Sequence, residues 1–246
     1  MSISKGTYPN NFLLDMRSVA PQETSEILGC VKISDLSGSR VREDAMGVER
    51  ADRGGLHRLH EQTIDALIAA AGQRDRTAEG HSRRVARYCV AIGRMIGLSQ
   101  DEMTTLKYAA GLHDIGKVAI SRKILNKLGK LTEQEFSVMK QHSTIGLRII
   151  EKIDGFQDAA PIIKHHHERY DGRGYPDGLV GEDIPLGSRI ISIAEAFDIL
   201  TSDVPWRDAM DQESALDEIR ACAGTQFDPT LVSAFSEAIV SGVVER

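Results

Sequence analysis

Apolar residues recur with the period of an α-helix through most of the chain after about residue 56. Between residues 56 and 71, for example, six apolar side chains fall close to a 3.6-residue repeat. Ser99 is the predicted N-cap of the helix at residues 101–113, Thr132 and Glu135 have capping-box spacing, and Asp228 precedes Pro229 as a helix start requires. One helix is predicted to begin at residue 132. The others are predicted over residues 56–71, 85–96, 101–113, 142–153, 159–167, 188–201, 212–222 and 228–240.

Two segments, residues 121–129 and residues 170–187, interrupt this period. The second contains five glycines and two prolines, which mark loops and not helices. Loops of this length in compact domains are often functional. The predicted fold class is therefore all-α, a helical bundle with one long glycine-rich loop.

Residues 1–55 differ from the rest of the chain. Small and charged residues crowd residues 34–55, and no apolar period lasts for two turns. This composition predicts an N-terminal arm, flexible or regulatory, followed by one folded domain over residues 56–246. Within the arm, the apolar run at residues 27–33 is compatible with a strand or with a docking segment.

The charge and the cysteines exclude several classes of protein. With 30 Lys and Arg against 36 Asp and Glu, the formal net charge is −6, whereas binding a nucleic-acid polymer needs a basic surface. No apolar run approaches the roughly 20 residues of a membrane span, and the first residues do not resemble a secretory signal. Three scattered cysteines suit neither a disulfide framework nor a thiolate zinc site. A cytoplasmic protein that does not bind membranes is predicted.

Histidines are concentrated in the middle of the chain, where six of the eight lie between residues 81 and 167. They fall in four places, each near the edge of a separate predicted helix, and helical bundles build metal sites from such facing side chains. Several imidazoles with few carboxylates and no cysteine favour iron or manganese, with zinc and nickel as alternatives. Two such ions would generate hydroxide for attack on phosphorus. Unrelated histidines at helix ends would show the same spacing, so both interpretations stay open at this point.

Asp114 and Lys117 follow His113 closely in the sequence. The carboxylate of Asp114 could reach a second metal ion as a bridge. Lys117 lies on the same side of the helix end, where a cation would meet the oxygens of a phosphate. An ordinary lysine near a helix C-terminus, stabilised by the helix dipole, would occupy the same position.

These motifs occur together in a known order. The matching segments are GHSRRVARY at 80–88, LHDIGK at 112–117, ILNKLGKLTEQE at 124–135, HSTIG at 142–146, HHERYDGRGYPDGLVGEDIPLGSRI at 166–190, IAEAFDILTSD at 193–203 and GTQFDP at 224–229. Over about residues 60–240 the chain resembles the HD-GYP family, a branch of the HD-domain metal phosphohydrolases. The HD pair alone is unspecific, but HHE followed by DGRGYP is highly specific.

The resemblance implies an HD-domain helical bundle with a binuclear or trinuclear metal centre that hydrolyses cyclic dinucleotides, chiefly cyclic di-GMP. Asp114 would bridge the ions, and a hydroxide between them would be the nucleophile. Lys117 and Asp198 would lie against the substrate phosphate or the hydroxide, while Tyr175 would shape the pocket and Arg207 would contact the nucleotide. The implied metal ligands are His81, His113, Asp114, His142, His166, His167 and Glu195.

The chain departs from the family pattern at three positions. Glu195 stands where the family usually has Asp, and the longer side chain remains an oxygen ligand. Thr77 stands where trinuclear relatives have Glu, which favours two ions per chain, iron or manganese. Val204 replaces one cation near the nucleotide, whereas Arg207 keeps the other. Loss of one charged contact corresponds to roughly a tenfold to hundredfold loss of affinity.

The predicted function is hydrolysis of cyclic di-GMP to linear pGpG, or further to GMP. One alternative is a catalytically weakened HD-GYP module that binds a cyclic dinucleotide or a signalling protein. Another is a phosphodiesterase for a different cyclic dinucleotide. Diguanylate cyclase (GGDEF) proteins are predicted partners through the GYP loop. The apolar face of residues 56–71 is compatible with a homodimer interface or with the core.

Overall fold

The computed structural model describes residues 48–72, 78–127, 129–203 and 207–242. Two 3₁₀ turns, Ile115–Ala119 and Gly181–Asp183, join the helices, and the described residues contain no extended β-strand. The all-α fold class predicted from the sequence is confirmed. Within the described residues the helices are α1 (Val48–Gly72), α2 (Ala78–Met95), α3 (Gln100–Leu112), α4 (Arg122–Leu125), α5 (Glu133–Ile150), α6 (Ala159–Lys164), α7 (Leu186–Thr201), α8 (Gln212–Ala221) and α9 (Pro229–Val240).

Helix α7 forms the centre of the core. It packs against α2, α8 and α9, and most of its side chains are buried. The ring of Phe197 on α7 meets Tyr88 and Phe235 edge-on, with centroids 5.1 and 5.0 Å apart. Large buried aromatic side chains dominate the packing energy of such a core. Because α7 also carries Glu195 and Asp198, this core fixes the position of both carboxylates.

The predicted caps are present. Ser99 and Thr132 begin α3 and α5 with reciprocal capping boxes, and Asp228 caps α9 with Pro229 in its first turn. These caps satisfy backbone N–H groups that would otherwise lack a partner at the helix starts.

Several helix bounds differ from the predictions. Helix α5 is continuous from Glu133 to Ile150, because no proline interrupts it between its capping box and Ile150. Helix α6 ends at Lys164, three residues earlier than predicted, so that the three following histidines lie in a turn. The one-turn helix α4 lies within residues 121–129, where the period breaks.

Helix α1 begins at Val48, inside the range predicted as the arm. Residues 48–55 have the sequence VERADRGG, in which apolar side chains do not recur at helical spacing, so the apolar period misses these turns. Residues 1–47, including the apolar run at residues 27–33, lie outside the described residues. The division into arm and domain therefore stays a prediction. None of the described helices is long and apolar enough to cross a bilayer.

Candidate metal centre

Two groups of potential metal ligands lie side by side in the structure. Within each group, one donor atom per residue lies within 4.8 Å of the other two. The first triad is His81, His113 and Asp114, and the second triad is His142, His166 and His167. His81 and His167 are partly exposed, and the other four residues are buried.

A close approach of two backbone segments brings the triads together. The 3₁₀ turn Ile115–Ala119 follows the first triad and packs against α5, which carries His142. A Cβ atom on Gly116 would overlap the carbonyl oxygen of His142 and come close to the backbone of Gly146. Only glycine at position 116 permits this contact, which explains the glycine in the LHDIGK segment.

Three of the histidines are oriented by the same backbone contact. In His113, His142 and His166, Nδ1 lies 2.6–2.7 Å from the carbonyl oxygen three residues earlier in the chain. A carbonyl oxygen can only accept a hydrogen bond, so Nδ1 carries the proton and Nε2 keeps its lone pair. This is the second contact that metal-binding histidines usually make.

The Nε2 atoms of His113 and His142 lie close to the carboxylate of Asp114. They lie 3.4 Å away for His113, measured to Oδ2, and 3.6 Å away for His142, measured to Oδ1. His113 Nε2 and Asp114 Oδ1 are buried and have no hydrogen-bond partner in the described structure. Leaving such atoms unpaired is costly. A divalent cation would satisfy both atoms, so the residues present fit the metal that the sequence predicts.

Burial keeps the second triad neutral. It lowers the pKa of His142 to about 4, and it lowers the pKa values of His166 and His167 well below their ordinary value. Neutral imidazoles are the form that binds metal ions. The second triad is therefore ready to coordinate a cation at neutral pH without first releasing protons.

Lys117 controls the charge of Asp114. Its Nζ lies 2.6 Å from Asp114 Oδ2. Burial acts to raise the pKa of Asp114, but Lys117 and the nearby histidines outweigh it, so the pKa falls well below its usual range. Asp114 is thus an ionised carboxylate of the first triad that faces His142 of the second, and the side chain of Lys117 is 23% exposed beside it.

Asp198 and Arg84 orient His81. Asp198 Oδ2 accepts a hydrogen bond from His81 Nδ1 at 2.7 Å, and both oxygens of Asp198 accept from Arg84, at 2.5 and 2.9 Å. The bidentate contact fixes the carboxylate, which in turn fixes the imidazole ring. A contact of Asp198 with substrate or hydroxide stays a prediction. Sequence reasoning missed Arg84, although it lies three residues after His81 on the same helical face.

Glu195 lies beside the second triad. Its Oε2 is 4.0 Å from His167 Nδ1, so the extra methylene of glutamate does not carry the carboxylate away from the centre. Burial raises the pKa of Glu195, with the charges of Asp114 and Asp198 acting in the same direction. A cation at the centre would favour its ionised form.

The glycine-rich loop folds back onto the HHE turn. Oε1 of the buried Glu168 accepts hydrogen bonds from the backbone of Asp177 and Gly178, at 2.7 and 3.0 Å. A Cβ atom on Gly174 would overlap the backbone of Glu168 and Arg169. The glycine therefore lets the loop lie directly on this turn, and Glu168 holds it there.

This close packing places Tyr175 over the second triad. Its ring stacks on His167, with centroids 4.8 Å apart and an interplanar angle of 29°. Burial raises the pKa of Tyr175, and the charges of Glu195 and Asp114 add to this effect. Tyr175 is thus a neutral aromatic ring that covers His167, and its role in shaping a substrate pocket stays a prediction.

Arg207 lies away from these contacts. Its NH2 group donates to the carbonyl oxygen of Ile199 at 2.6 Å, and NH1 donates to those of Leu200 and Asp208 at 3.0 and 3.2 Å. The guanidinium therefore caps the C-terminal end of α7. Its contact with the nucleotide stays a prediction, and Val204 lies outside the described residues.

A comparison with protein families identifies the domain. The model of the HD domain matches residues 65–231. The chain belongs to the HD-domain family. The family prediction made from its motifs is confirmed, and because HD-domain phosphohydrolases depend on metal ions, the two triads agree with this membership.

Characterised relatives are named as cyclic dinucleotide phosphodiesterases. The "Cyclic di-GMP phosphodiesterase response regulator RpfG" of Xanthomonas campestris is 39% identical over 79% of this chain and 53% of its own length. A "Cyclic di-GMP phosphodiesterase" of Thermotoga maritima is 38% identical over 71% of this chain and 48% of its own. The "3'3'-cGAMP-specific phosphodiesterase 2" of Vibrio cholerae is 38% identical over 74% and 35%. The chain thus spans about half the length, or less, of these relatives.

Solved structures show the same fold. A cyclic GMP-AMP specific phosphodiesterase of V. cholerae, V-cGAP3, gives a TM-score of 0.59 at 22% identity, over 74% of this chain and 49% of that one. The HD domain of the L. monocytogenes phosphodiesterase PgpH, solved with cyclic-di-AMP, gives 0.53 at 17% identity, over 72% and 95%. At such identities the likeness supports the helical HD fold alone.

Proposed function

We propose that this chain is a metal-dependent phosphodiesterase that hydrolyses cyclic di-GMP to linear pGpG. The observation that carries the proposal is the pair of triads, with His113 Nε2 and Asp114 Oδ1 buried, partnerless and adjacent to Lys117. Such a centre combines two groups of metal ligands with one cation for a phosphate. The names of the relatives support a cyclic dinucleotide as the substrate.

Two divalent ions, iron or manganese, are the proposed cofactors, one at each triad. Asp114 belongs to the first triad and faces His142 of the second, so it is the proposed bridging ligand, and Glu195 would complete the second site. Imidazoles and carboxylates without thiolate suit these ions. When bound, the ions would lower the pKa of a coordinated water molecule. Their positive charge would also stabilise the phosphate oxygens.

The protein side chains then position the substrate. Lys117 would pair with a non-bridging phosphate oxygen and stabilise the charge that develops during hydrolysis. Asp198 and Arg84 would keep the His81 ring fixed through the contacts described above. Tyr175 would limit access of water to the second triad, because its ring covers His167.

A second candidate substrate is 3'3'-cGAMP. A relative specific for it is as similar to this chain, at 38% identity, as a cyclic di-GMP phosphodiesterase. The two substrates share both phosphodiester bonds and one guanine, so the metal centre alone would not separate them. The difference would come from contacts with the second base.

Further features of the proposal concern the setting of the enzyme. We place it in the cytoplasm, since the two described cysteines, Cys89 and Cys222, are buried free thiols. GGDEF proteins are the proposed partners of the glycine-rich loop. A homodimer through α1 is also proposed, with Leu59 exposed on that helix.

Turnover of both dinucleotides after anaerobic loading with Fe²⁺ or Mn²⁺ tests the proposal. We expect cyclic di-GMP to give pGpG, resolved from GMP by chromatography, and cyclic di-GMP to be preferred over 3'3'-cGAMP. If the loaded protein binds cyclic di-GMP without turnover, it is the weakened binding module. If only 3'3'-cGAMP is cleaved, the class of enzyme is right and the assigned substrate is wrong.

A further inference from the structure

A cyclic dinucleotide carries two phosphates, and only one of them lies at the metal centre during a turnover. The other phosphate keeps its negative charge and is best stabilised by a second cation. Lys117 serves the first phosphate, since it contacts Asp114. Arg207, the other predicted cation, directs its guanidinium at three carbonyl oxygens near the end of α7.

Lys140 is a cation at the edge of the second triad. Its Nζ lies 5.4 Å from the ring centroid of Phe136, one turn earlier on α5, and 5.9 Å from that of Tyr175. Tyr175 in turn stacks on His167. The ammonium group therefore lies against the rings of Phe136 and Tyr175, and Tyr175 connects it to the second triad.

The described part of the chain offers this ammonium group no anionic partner. Among the described residues, no carboxylate oxygen lies within 4.0 Å of Lys140 Nζ. The other lysines near the centre, Lys117 and Lys164, pair with Asp114 and Asp177.

The rings orient the side chain without neutralising it. Cation–π contacts fix the direction of an ammonium group, but they leave its hydrogen-bond donors available for an anion. Phe136 and Tyr175 meet edge-on, with centroids 6.3 Å apart, so the two rings form a pre-organised seat. Such pre-organisation lowers the entropic cost of binding a phosphate.

We propose that Lys140 binds the second phosphate of the cyclic dinucleotide, the one that is not being hydrolysed. The assignment rests on the proposed function, because it needs a substrate with two phosphates. It makes Lys140 a residue that distinguishes cyclic dinucleotides from simple phosphodiesters. It also gives the chain a cation in addition to Arg207, where the family resemblance predicts a basic residue at the position of Val204.

Comparison of two substrates tests this assignment. Bis(p-nitrophenyl) phosphate has one phosphate and reports on the metal centre, whereas cyclic di-GMP has two. In Lys140→Ala, we expect kcat/KM for cyclic di-GMP, relative to that for bis(p-nitrophenyl) phosphate, to fall about tenfold to hundredfold through KM. Lys140→Arg should restore the ratio, and Lys152→Ala, exposed beyond the end of α5, should leave it at the wild-type value.

An unchanged ratio in Lys140→Ala, or no rescue by Lys140→Arg, would overturn the assignment. If the wild type cleaves only bis(p-nitrophenyl) phosphate, the proposed substrate is wrong, and the role of Lys140 is then measured by calorimetric titration with cyclic di-GMP. A tenfold or greater weakening in Lys140→Ala would still support the phosphate contact. Equal affinities of wild type and variant would refute it.

Discussion

The two triads are held in place by different kinds of contact. The first contains a carboxylate. A backbone carbonyl oxygen orients His113, but charged side chains hold the other two members: Lys117 contacts Asp114, while Asp198 and Arg84 hold His81. The second contains only imidazoles, and it is held by backbone carbonyl oxygens and by the ring of Tyr175. The position of the first triad thus depends mainly on charged side chains. The position of the second depends on the backbone and on the glycine-rich loop.

This difference predicts how each site fails. Removing a charge near the first triad should weaken one metal site and leave the fold intact, because those charged side chains do not belong to the hydrophobic core. Moving the backbone should affect the second triad and, through Gly116, both triads together. Substitutions near each triad therefore test whether the two metal sites are held separately.

The largest effect is expected from Gly116→Ala. The added methyl group would overlap the backbone of α5 at His142, and neither segment can yield without moving a triad. We expect the unfolding free energy of the metal-free protein to fall by about 3 kcal/mol, with metal lost from both sites. Urea unfolding and metal analysis of the same samples measure the two effects.

Gly55→Ala is the matched control for that experiment. Its added Cβ has no neighbour within 4 Å, and alanine favours a helix by about 1 kcal/mol over glycine. This variant should be as stable as the wild type or more so. Retention of both metal ions by Gly116→Ala would show that the close approach does not hold the triads together.

Asp114→Asn should disable the first triad selectively. The amide keeps the shape of the side chain but removes the charge that faces Lys117 and the two Nε2 atoms. Turnover should fall about hundredfold or more, since a metal ion supplies several kcal/mol of transition-state stabilisation. Steady-state rates and the number of bound ions measure this. Asp101→Asn, exposed in the first turn of α3, is the control.

One ion should remain on Asp114→Asn, at the second triad. Loss of both ions would mean that the sites are a single cooperative unit, contrary to the comparison. Full activity of Asp114→Asn would show that the carboxylate of Asp114 is not needed at the metal centre.

Arg84→Gln should weaken the first site without removing it. The substitution leaves Asp198 without its bidentate partner, so His81 is less well oriented. Loss of such an outer contact typically reduces metal affinity about tenfold to hundredfold. Competition between Mn²⁺ and a fluorescent chelator measures it, and Arg83→Gln on the exposed side of α2 is the control.

Arg84→Lys should recover only part of the affinity, because an ammonium group cannot reproduce the paired contact of a guanidinium. Equal weakening of both metal sites by Arg84→Gln would contradict a role specific to His81.

The smallest effect is expected at Tyr175. Tyr175→Leu removes the ring that stacks on His167, whereas Tyr175→Phe keeps it. Aromatic pairs contribute about 0.5–1.5 kcal/mol, so the leucine variant should lose about threefold to tenfold in affinity at the second triad, and the phenylalanine variant should resemble the wild type. Chelator competition measures this. If both variants weaken metal binding equally, the hydroxyl group and not the stack is important.

Much of this molecule could be predicted from its sequence. The helical period and the caps at Ser99, Thr132 and Asp228 give most helices, because local signals determine where helices start. The end of α6 at Lys164 was missed, since the turn of histidines is set by tertiary contacts with the loop. The motif resemblance named seven ligands, and the structure brings all seven to one place; their binding to metal stays a prediction.

The contacts around those ligands could not be predicted in the same way. Arg84 and Asp198 are 114 residues apart in the sequence, and no local pattern signals their pairing. Lys140 looks like an ordinary lysine on a helix until the loop places Tyr175 beside it. Spacing gives the ligands, whereas packing gives the residues that orient them and the one we assign to the second phosphate.

The number of metal ions per chain tests the central claim most directly. Native mass spectrometry of anaerobically loaded protein should show two ions on the wild type, one on His113→Ala and one on His166→Ala, with the remaining ion in a different site in each variant. A single ion on the wild type would contradict the account of two separately held sites, and so would the loss of both ions from either variant.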